Sequence, residues 1–533
     1  MEKQKKKLKI VGADAVWYAV CFMLLGLIDQ RRGSADGTVQ MIFANLTGVV
    51  TAMLLLPSIK KEFWKTKHAG IWTVVCILLL SGGCIVGKRV WQYPGQWYTA
   101  VLNVALIGYA VVYVMWDREE IKRGNRLQKG CFSMVAGMLL LMQLSVHKDI
   151  WPIWYLGMFG GFYLIGILKE KEEVFLKGML IGIIFWFFVQ QTIAFGFRPY
   201  DYVRYRGLYS GETQNGLFYM IVFCAFTGMW LYLKQKNGRL VFRVLCFLLS
   251  AGSVSFQILT GGRASFLGVF AAAAVAYMAY DIIIFKSFKH WILQGAALGL
   301  CALLLFPIAY GFVRYLPTIL HHPVWFLGEY DEEASVRSFD PWNSDRYISF
   351  ETVMNNNVGR LLRVFGITLR IEEGELYFAL PTVMSVHAAE IGEPGDSLDN
   401  PFYYEYKEGS LLGVRAPIYH YYATHLNLIG HEGSGSFYMI GGSYYEVTEI
   451  GHAHNMFLQM AYDYGIIAGG LFLIWNLWCL ARLLRRKDLT GIVCAAFLAA
   501  ILTYGFAEMA VTTGQITLSL LFVIYYFGMR KYD

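Results

Sequence analysis

The run Ile292-Leu-Gln-Gly-Ala-Ala-Leu-Gly-Leu-Cys301-Ala-Leu-Leu-Leu-Phe-Pro307-Ile-Ala-Tyr-Gly-Phe312 carries no charged side chain. It matches the length of about 20 residues that a helix needs to cross a bilayer. Similar runs recur from one end of the chain to the other. With 56% hydrophobic and only 16% charged residues, the composition belongs to a protein solvated by lipid. A membrane-length window finds about fourteen candidate spans: 10–28, 39–57, 71–87, 98–116, 131–146, 153–168, 178–197, 216–233, 244–260, 264–285, 292–312, 454–480, 491–511 and 516–529. The expected fold is an all-α polytopic membrane protein of about 14 transmembrane helices, with one large extracytoplasmic loop domain before the twelfth. Three regions follow: residues 1–312 with helices 1 to 11, the loop domain 313–453, and residues 454–533 with helices 12 to 14.

Lys and Arg near span ends resist translocation, so the basic clusters set the orientation. Lys3 to Lys9, Lys60 to Lys67, Arg118 to Lys129, Lys169 to Lys177, Lys234 to Arg243, Lys286 and Lys289, Arg482 to Lys487, and Arg530 with Lys531 fall in every second loop. Those loops are expected in the cytoplasm together with both termini, and the long loop outside. The first span follows a basic tail and has no Ala-x-Ala-like cleavage site, which reads as a retained signal anchor. The net charge of +8 is spread over these short clusters, a topology signal and not a nucleic-acid surface.

All nine cysteines lie in or beside apolar spans and residues 313–453 contain none. A disulfide framework or a Cys-ligated zinc in the loop domain is thereby excluded. The loop holds 19 Asp and Glu against 8 Lys and Arg, an acidity that argues against nucleic acid. Its many aromatic residues argue against disorder. Its histidines are irregularly spaced and show no helical metal-ligand pattern, so no metal and no cofactor is expected.

Where this loop re-enters the membrane stands His454-Asn455-Met-Phe-Leu-Gln-Met-Ala461-Tyr-Asp463-Tyr-Gly465-Ile-Ile-Ala468-Gly469. Small residues at Ala461, Gly465 and Gly469 let a neighbouring helix come close. At about 100 degrees per residue, His454 falls on their stripe and Asp463 on the opposite side. The competing reading is that His454 and Asn455 only cap the helix. Glu508, inside the next span, is costly to bury as an ion and receives no role.

Cations on the translocated side run against the charge bias and ask for a reason. Arg204 and Arg206 precede Asn215-Gly216, and Arg263 follows Gly261-Gly262. Two glycines allow a close backbone approach, and a helix N-terminus adds its positive end. Together they describe an anion site, and guanidinium forks suit the oxygens of a diphosphate.

In motif order the chain resembles the O-antigen ligase and O-antigen polymerase superfamily of bacterial integral membrane glycosyltransferases. The likeness spans roughly residues 197–470: the Arg-x-Gly then Asn-Gly turn at Arg206 to Gly216, the Thr-Gly-Gly-Arg-Ala turn at Arg263, the large loop, then His-Asn followed nine residues later by Gly. A second Gly expected three residues further is Ala468 here, with Gly469 beside it. The resemblance implies an enzyme of the bacterial cytoplasmic membrane that works on its outer face, with an undecaprenyl-diphosphate-linked oligosaccharide as donor and a glycan or lipid-linked glycan as acceptor. His454 would be the general base, and Arg206 and Arg263 would hold the diphosphate. Arg204, Asn215, Arg346 and Asn455 are the expected substrate contacts, with a loop salt bridge to Asp345 or Asp340 the alternative for Arg346. Polymerisation of repeat units is the leading expectation and ligase-type transfer to another acceptor the second. A lipid-linked oligosaccharide flippase is the alternative of another class, which would place ionisable residues near mid-membrane and not at one face.

Overall fold

Inside a bilayer no water satisfies backbone N–H and C=O groups, so consecutive apolar runs fold as helices joined by short polar turns. The computed structural model describes residues 2–32, 37–90, 94–118, 127–147, 160, 163–198, 200, 204–209, 211–286, 290–320, 349–362, 367–372, 375–379, 395–404, 415–441, 444–511 and 515–531. In chain order its main helices are α1 (Glu2–Arg32), α2 (Gly37–Met53), α3 (Lys67–Val90), α4 (Pro94–Trp116), α5 (Lys129–Gln143), α6 (Glu172–Phe197), α7 (Glu212–Gln235), α8 (Leu240–Thr260), α9 (Arg263–Tyr280) and α10 (His290–Ile319). After the loop domain, which contributes α11 (Arg415–Thr424), come α12 (Met456–Tyr464), α13 (Ile466–Arg485), α14 (Leu489–Gly505) and α15 (Ile516–Met529).

Among the described residues, seven segments, in α1, α6, α7, α8, α9, α10 and α13, are long and apolar enough to cross a membrane, and six further apolar helices are shorter. Of the expected span 153–168, residue 160 and residues 163–168 are among those described. On α10, Leu293, Leu300, Leu303 and Leu304 are each at least 60% exposed, an apolar face that suits lipid and not water.

Close approach inside the bundle depends on missing side chains. A Cβ added to Gly178 of α6 would lie 2.5 Å from Tyr18 Cβ, and one on Gly182 would lie 2.4 Å from the Ala19 carbonyl oxygen of α1. This small-x-x-x-small pair lets the two backbones touch. Helix α15 is buried over its whole length and α14 over nearly all of it, which places both at the centre. At one end of the bundle the buried Glu172 carboxylate pairs with Arg486 and Arg530, drawing together the start of α6, the link between α13 and α14 and the end of α15.

The expected twelfth span, 454–480, is two helices. Gly465 sits at φ 93 between α12 and α13, a conformation that glycine adopts without strain. A Cβ there would lie 2.3 Å from the Leu428 carbonyl oxygen. A Cβ on Gly469 would meet Ala461 Cβ at 2.6 Å, so the small residues serve the elbow between α12 and α13. The helical-wheel placement of His454 on a continuous stripe therefore fails, because the helix begins after it and breaks at Gly465. The expected thirteenth span, 491–511, also ends early: α14 stops at Gly505 and Glu508 lies beyond it.

The described parts of the loop domain contain a hairpin of β1 (Thr368–Glu372) and β2 (Glu375–Ala379). A second sheet has the order β3 (Phe402–Tyr404), β4 (Phe437–Gly441), β5 (Tyr444–Ile450), with β3 parallel and β5 antiparallel to β4. Ile418, Tyr421, Tyr422, Phe437, Met439 and Tyr462 form a small core that docks this sheet and α11 on α12. The fold remains mostly helical, with little sheet.

Candidate functional site

The cationic side of the site grows from two tight turns. Gly261, at φ 60, ends α8, Gly262 precedes the first turn of α9, and Arg263 opens that helix. A Cβ on Gly262 would sit 2.7 Å from Ser265 Oγ. Gln257 Nε2 donates to Ser265 Oγ at 2.6 Å and to Thr260 Oγ1 at 3.2 Å, fixing the turn from below. The turn before α7 lies against it: the Tyr205 amide donates to the Leu259 carbonyl at 2.9 Å, and Arg204 Nε donates to the Thr260 carbonyl at 2.8 Å. A Cβ on Gly216 would fall 2.4 Å from Ser265 Oγ. The two motifs, distant in sequence, thus interlock through glycine, serine and backbone.

Arg204 and Arg263 consequently line one cavity of about 310 Å³, together with Arg415, His454 and Glu508. Such a volume lies at the lower end of small-ligand sites, roughly 300–1,000 Å³. Arg206 is not among its walls; its Nε donates to Glu212 Oε1 at 3.0 Å. The neighbouring arginine, Arg204, occupies the place expected for Arg206. Asn215 is buried, and its Nδ2 donates to the Tyr205 carbonyl at 3.1 Å, so it shapes the turn that carries the arginines. Arg346 lies outside the described residues.

The opposite wall is built where the loop domain meets α12. Asn455 caps α12, its side-chain oxygen accepting from the Phe457 amide at 3.0 Å and the Leu458 amide at 3.1 Å. Such a cap is worth about 1 kcal/mol. Gln459 reaches back to accept from the Ala453 amide at 2.6 Å. His454 itself makes no cap and sits at φ 49, a left-handed conformation that costs a non-glycine residue roughly 1–3 kcal/mol and recurs at functional sites.

That conformation brings His454 Nδ1 to 3.0 Å from Glu508 Oε2. The other Glu508 oxygen pairs with Arg415. Glu508 is only 6% exposed. Burial works against its ionised form, yet the His454 hydrogen bond and the Arg415 charge outweigh burial and hold the carboxyl below its usual range. An ionised carboxylate accepts only, so Nδ1 of His454 is the donor in this bond, and Nε2 is the ring nitrogen left facing away from it. The His452 ring stands 4.1 Å from that of His454, centroid to centroid. Burial, and then the neighbouring imidazole, push its pKa down to about 4, so it stays neutral near pH 7.

A second cavity, of about 530 Å³, lies on the other side of this pair. His454, Glu508, Thr213 and Tyr504 line both cavities. Where the first is rich in arginine, the second combines the apolar Met138, Leu139, Leu518 and Phe522 with the polar His147 and Ser434. His454 and Glu508 therefore form part of the wall of both an arginine-lined cavity and a mixed one.

Sequence reasoning missed Arg415 and gave Glu508 no role. A lone acid at the end of an apolar run was visible as a signal, but its partners lie 54 and 93 positions away and only the fold pairs them. Asp463, which the helical wheel set opposite His454, accepts on Oδ1 from Gln459 Nε2 at 2.8 Å. Among the described residues, no group of three or more His, Cys, Asp or Glu side chains is placed to hold a metal ion. Compared with known proteins, the chain matches no family model, no curated protein and no solved structure.

Proposed function

We propose that the protein is a polymerase-type inverting glycosyltransferase that joins undecaprenyl-diphosphate-linked glycan repeat units on the outer face of the bacterial cytoplasmic membrane. The observation that carries the reading is the His454–Glu508 pair on the wall shared by two cavities, one of them lined by Arg204, Arg263 and Arg415. The donor diphosphate lies against Arg204 and Arg263, and the acceptor hydroxyl reaches Nε2 of His454. As its oxygen attacks the anomeric carbon, the hydroxyl proton passes to Nε2 and the bond from that carbon to the diphosphate oxygen breaks. The leaving polyprenyl diphosphate takes the bonding pair, and the arginines offset the charge it gathers. Glu508 holds the imidazole in the reactive tautomer and stabilises the imidazolium that forms. Arg204, Arg263, His454 and Glu508 all lie at helix ends or in the turns between helices and not within a membrane-length helix interior, which supports group transfer over a flippase.

The reading is tested by incubating purified protein with a synthetic lipid-linked repeat unit and analysing both products. It requires one polyprenyl diphosphate released per new linkage and inversion at the anomeric carbon. Retention of configuration overturns the single displacement.

A further inference from the structure

Helix α11 belongs to the loop domain, yet two of its side chains reach the base pair. Arg415 and Tyr419, one turn apart at i and i+4, share a face of α11. Ile418, Tyr421 and Tyr422 of the same helix are buried in the small core. Arg415 pairs with Glu508. The Tyr419 hydroxyl lies 3.1 Å from the His454 carbonyl oxygen and 3.1 Å from the Phe506 carbonyl oxygen. Burial raises the Tyr419 pKa, so the hydroxyl keeps the proton that these two carbonyls share. Phe506 lies two residues before Glu508, so one hydroxyl bridges the backbone of the base to the backbone of its carboxylate.

We infer that this face of α11 is a clamp, in which Tyr419 and Arg415 are positioning residues that hold the His454 Nδ1–Glu508 bond. His454 occupies a left-handed conformation from which it would relax if its carbonyl lost a partner. Glu508 follows the end of α14 in a turn, where no helical ladder fixes it. The clamp supplies what both lack. It makes the loop domain part of the catalytic apparatus and not only a cover. The role in turnover rests on the transferase reading; the role in holding the imidazole does not.

The test compares Tyr419→Phe with Tyr422→Phe. Tyr422 is on the same helix and donates to the Ser434 carbonyl at 3.1 Å, without touching the base pair. In protein labelled with 15N-histidine, His454 of the wild type gives the tautomer protonated on Nδ1. In Tyr419→Phe that signal broadens or mixes with the other tautomer, Arg415→Gln shifts it further, and Tyr422→Phe leaves it unchanged. With substrate, Tyr419→Phe lowers kcat by about 3- to 10-fold, the loss expected for one hydrogen bond, while KM for the donor stays put. Equal effects from Tyr419→Phe and Tyr422→Phe, or a wild-type tautomer signal in both Tyr419→Phe and Arg415→Gln, overturn the clamp. The spectroscopic arm needs no substrate, so altered spectra in a protein that shows no transfer support the clamp and count only against the transferase reading.

Discussion

Replacing Glu508 by Gln tests the base most sharply, because it removes a charge while keeping the shape. The side chains of His454 and Glu508 are 27% and 8% exposed, so solvent screens their interaction little. A hydrogen bond to a charged group is worth about 1.5–3 kcal/mol, and each 1.4 kcal/mol or so is tenfold in rate. Loss of that stabilisation as His454 becomes imidazolium lowers kcat by roughly 10- to 150-fold. The amide can also donate to Nδ1, favouring the tautomer that leaves Nε2 protonated, and this deepens the loss. KM for the donor changes little, since Arg204 and Arg263 are untouched. The variant leaves Arg415 without its carboxylate, so its melting midpoint in detergent is measured alongside initial rates of chain elongation. An intact Glu508→Gln protein with kcat within about twofold of wild type refutes the dyad.

Arg204→Ala weakens transfer more than Arg206→Ala does in the same elongation assay, because Arg204 lines the cavity and Arg206 faces Glu212; the reverse order contradicts the placement. The His452 pKa drops from 6.5 to about 4 on folding, so the folded state takes up this proton less readily than the unfolded chain. Stability from this group is complete above pH 6.5, falls as the pH drops through that value and levels off near pH 4. A His452→Gln protein therefore loses less of its melting temperature between those limits than wild type does. Gly465→Ala forces a Cβ to within 2.3 Å of the Leu428 carbonyl at a positive φ; it costs more than about 1 kcal/mol and lowers the melting midpoint.

The membrane helices were legible because their signal is local: a run such as 292–312 needs only its own composition to be recognised. The elbow at Gly465 was not, since the same glycine fits a helix packed closely in a bilayer and a helix broken at a left-handed residue. Leu428, which presses on it, decides between them. His454, Arg204 and Arg263 could be singled out because each conflicts with a local expectation of charge or position. Arg204 lines the cavity and Arg206 does not, although Glu212 pairs with both; spacing alone does not specify which of the two faces the cavity. Arg415 opens a short helix whose flanking residues carry no other charge, and nothing around it in sequence distinguishes it. Its significance arises only when α11 docks beside the turn after α14.

The most direct measurement of the central claim is the product ladder formed when purified protein meets a lipid-linked repeat unit, run in parallel for wild type, His454→Ala and Arg263→Ala. The account requires a ladder with wild type, none with His454→Ala and a strongly shortened or absent one with Arg263→Ala. A ladder from His454→Ala indistinguishable from that of wild type contradicts it.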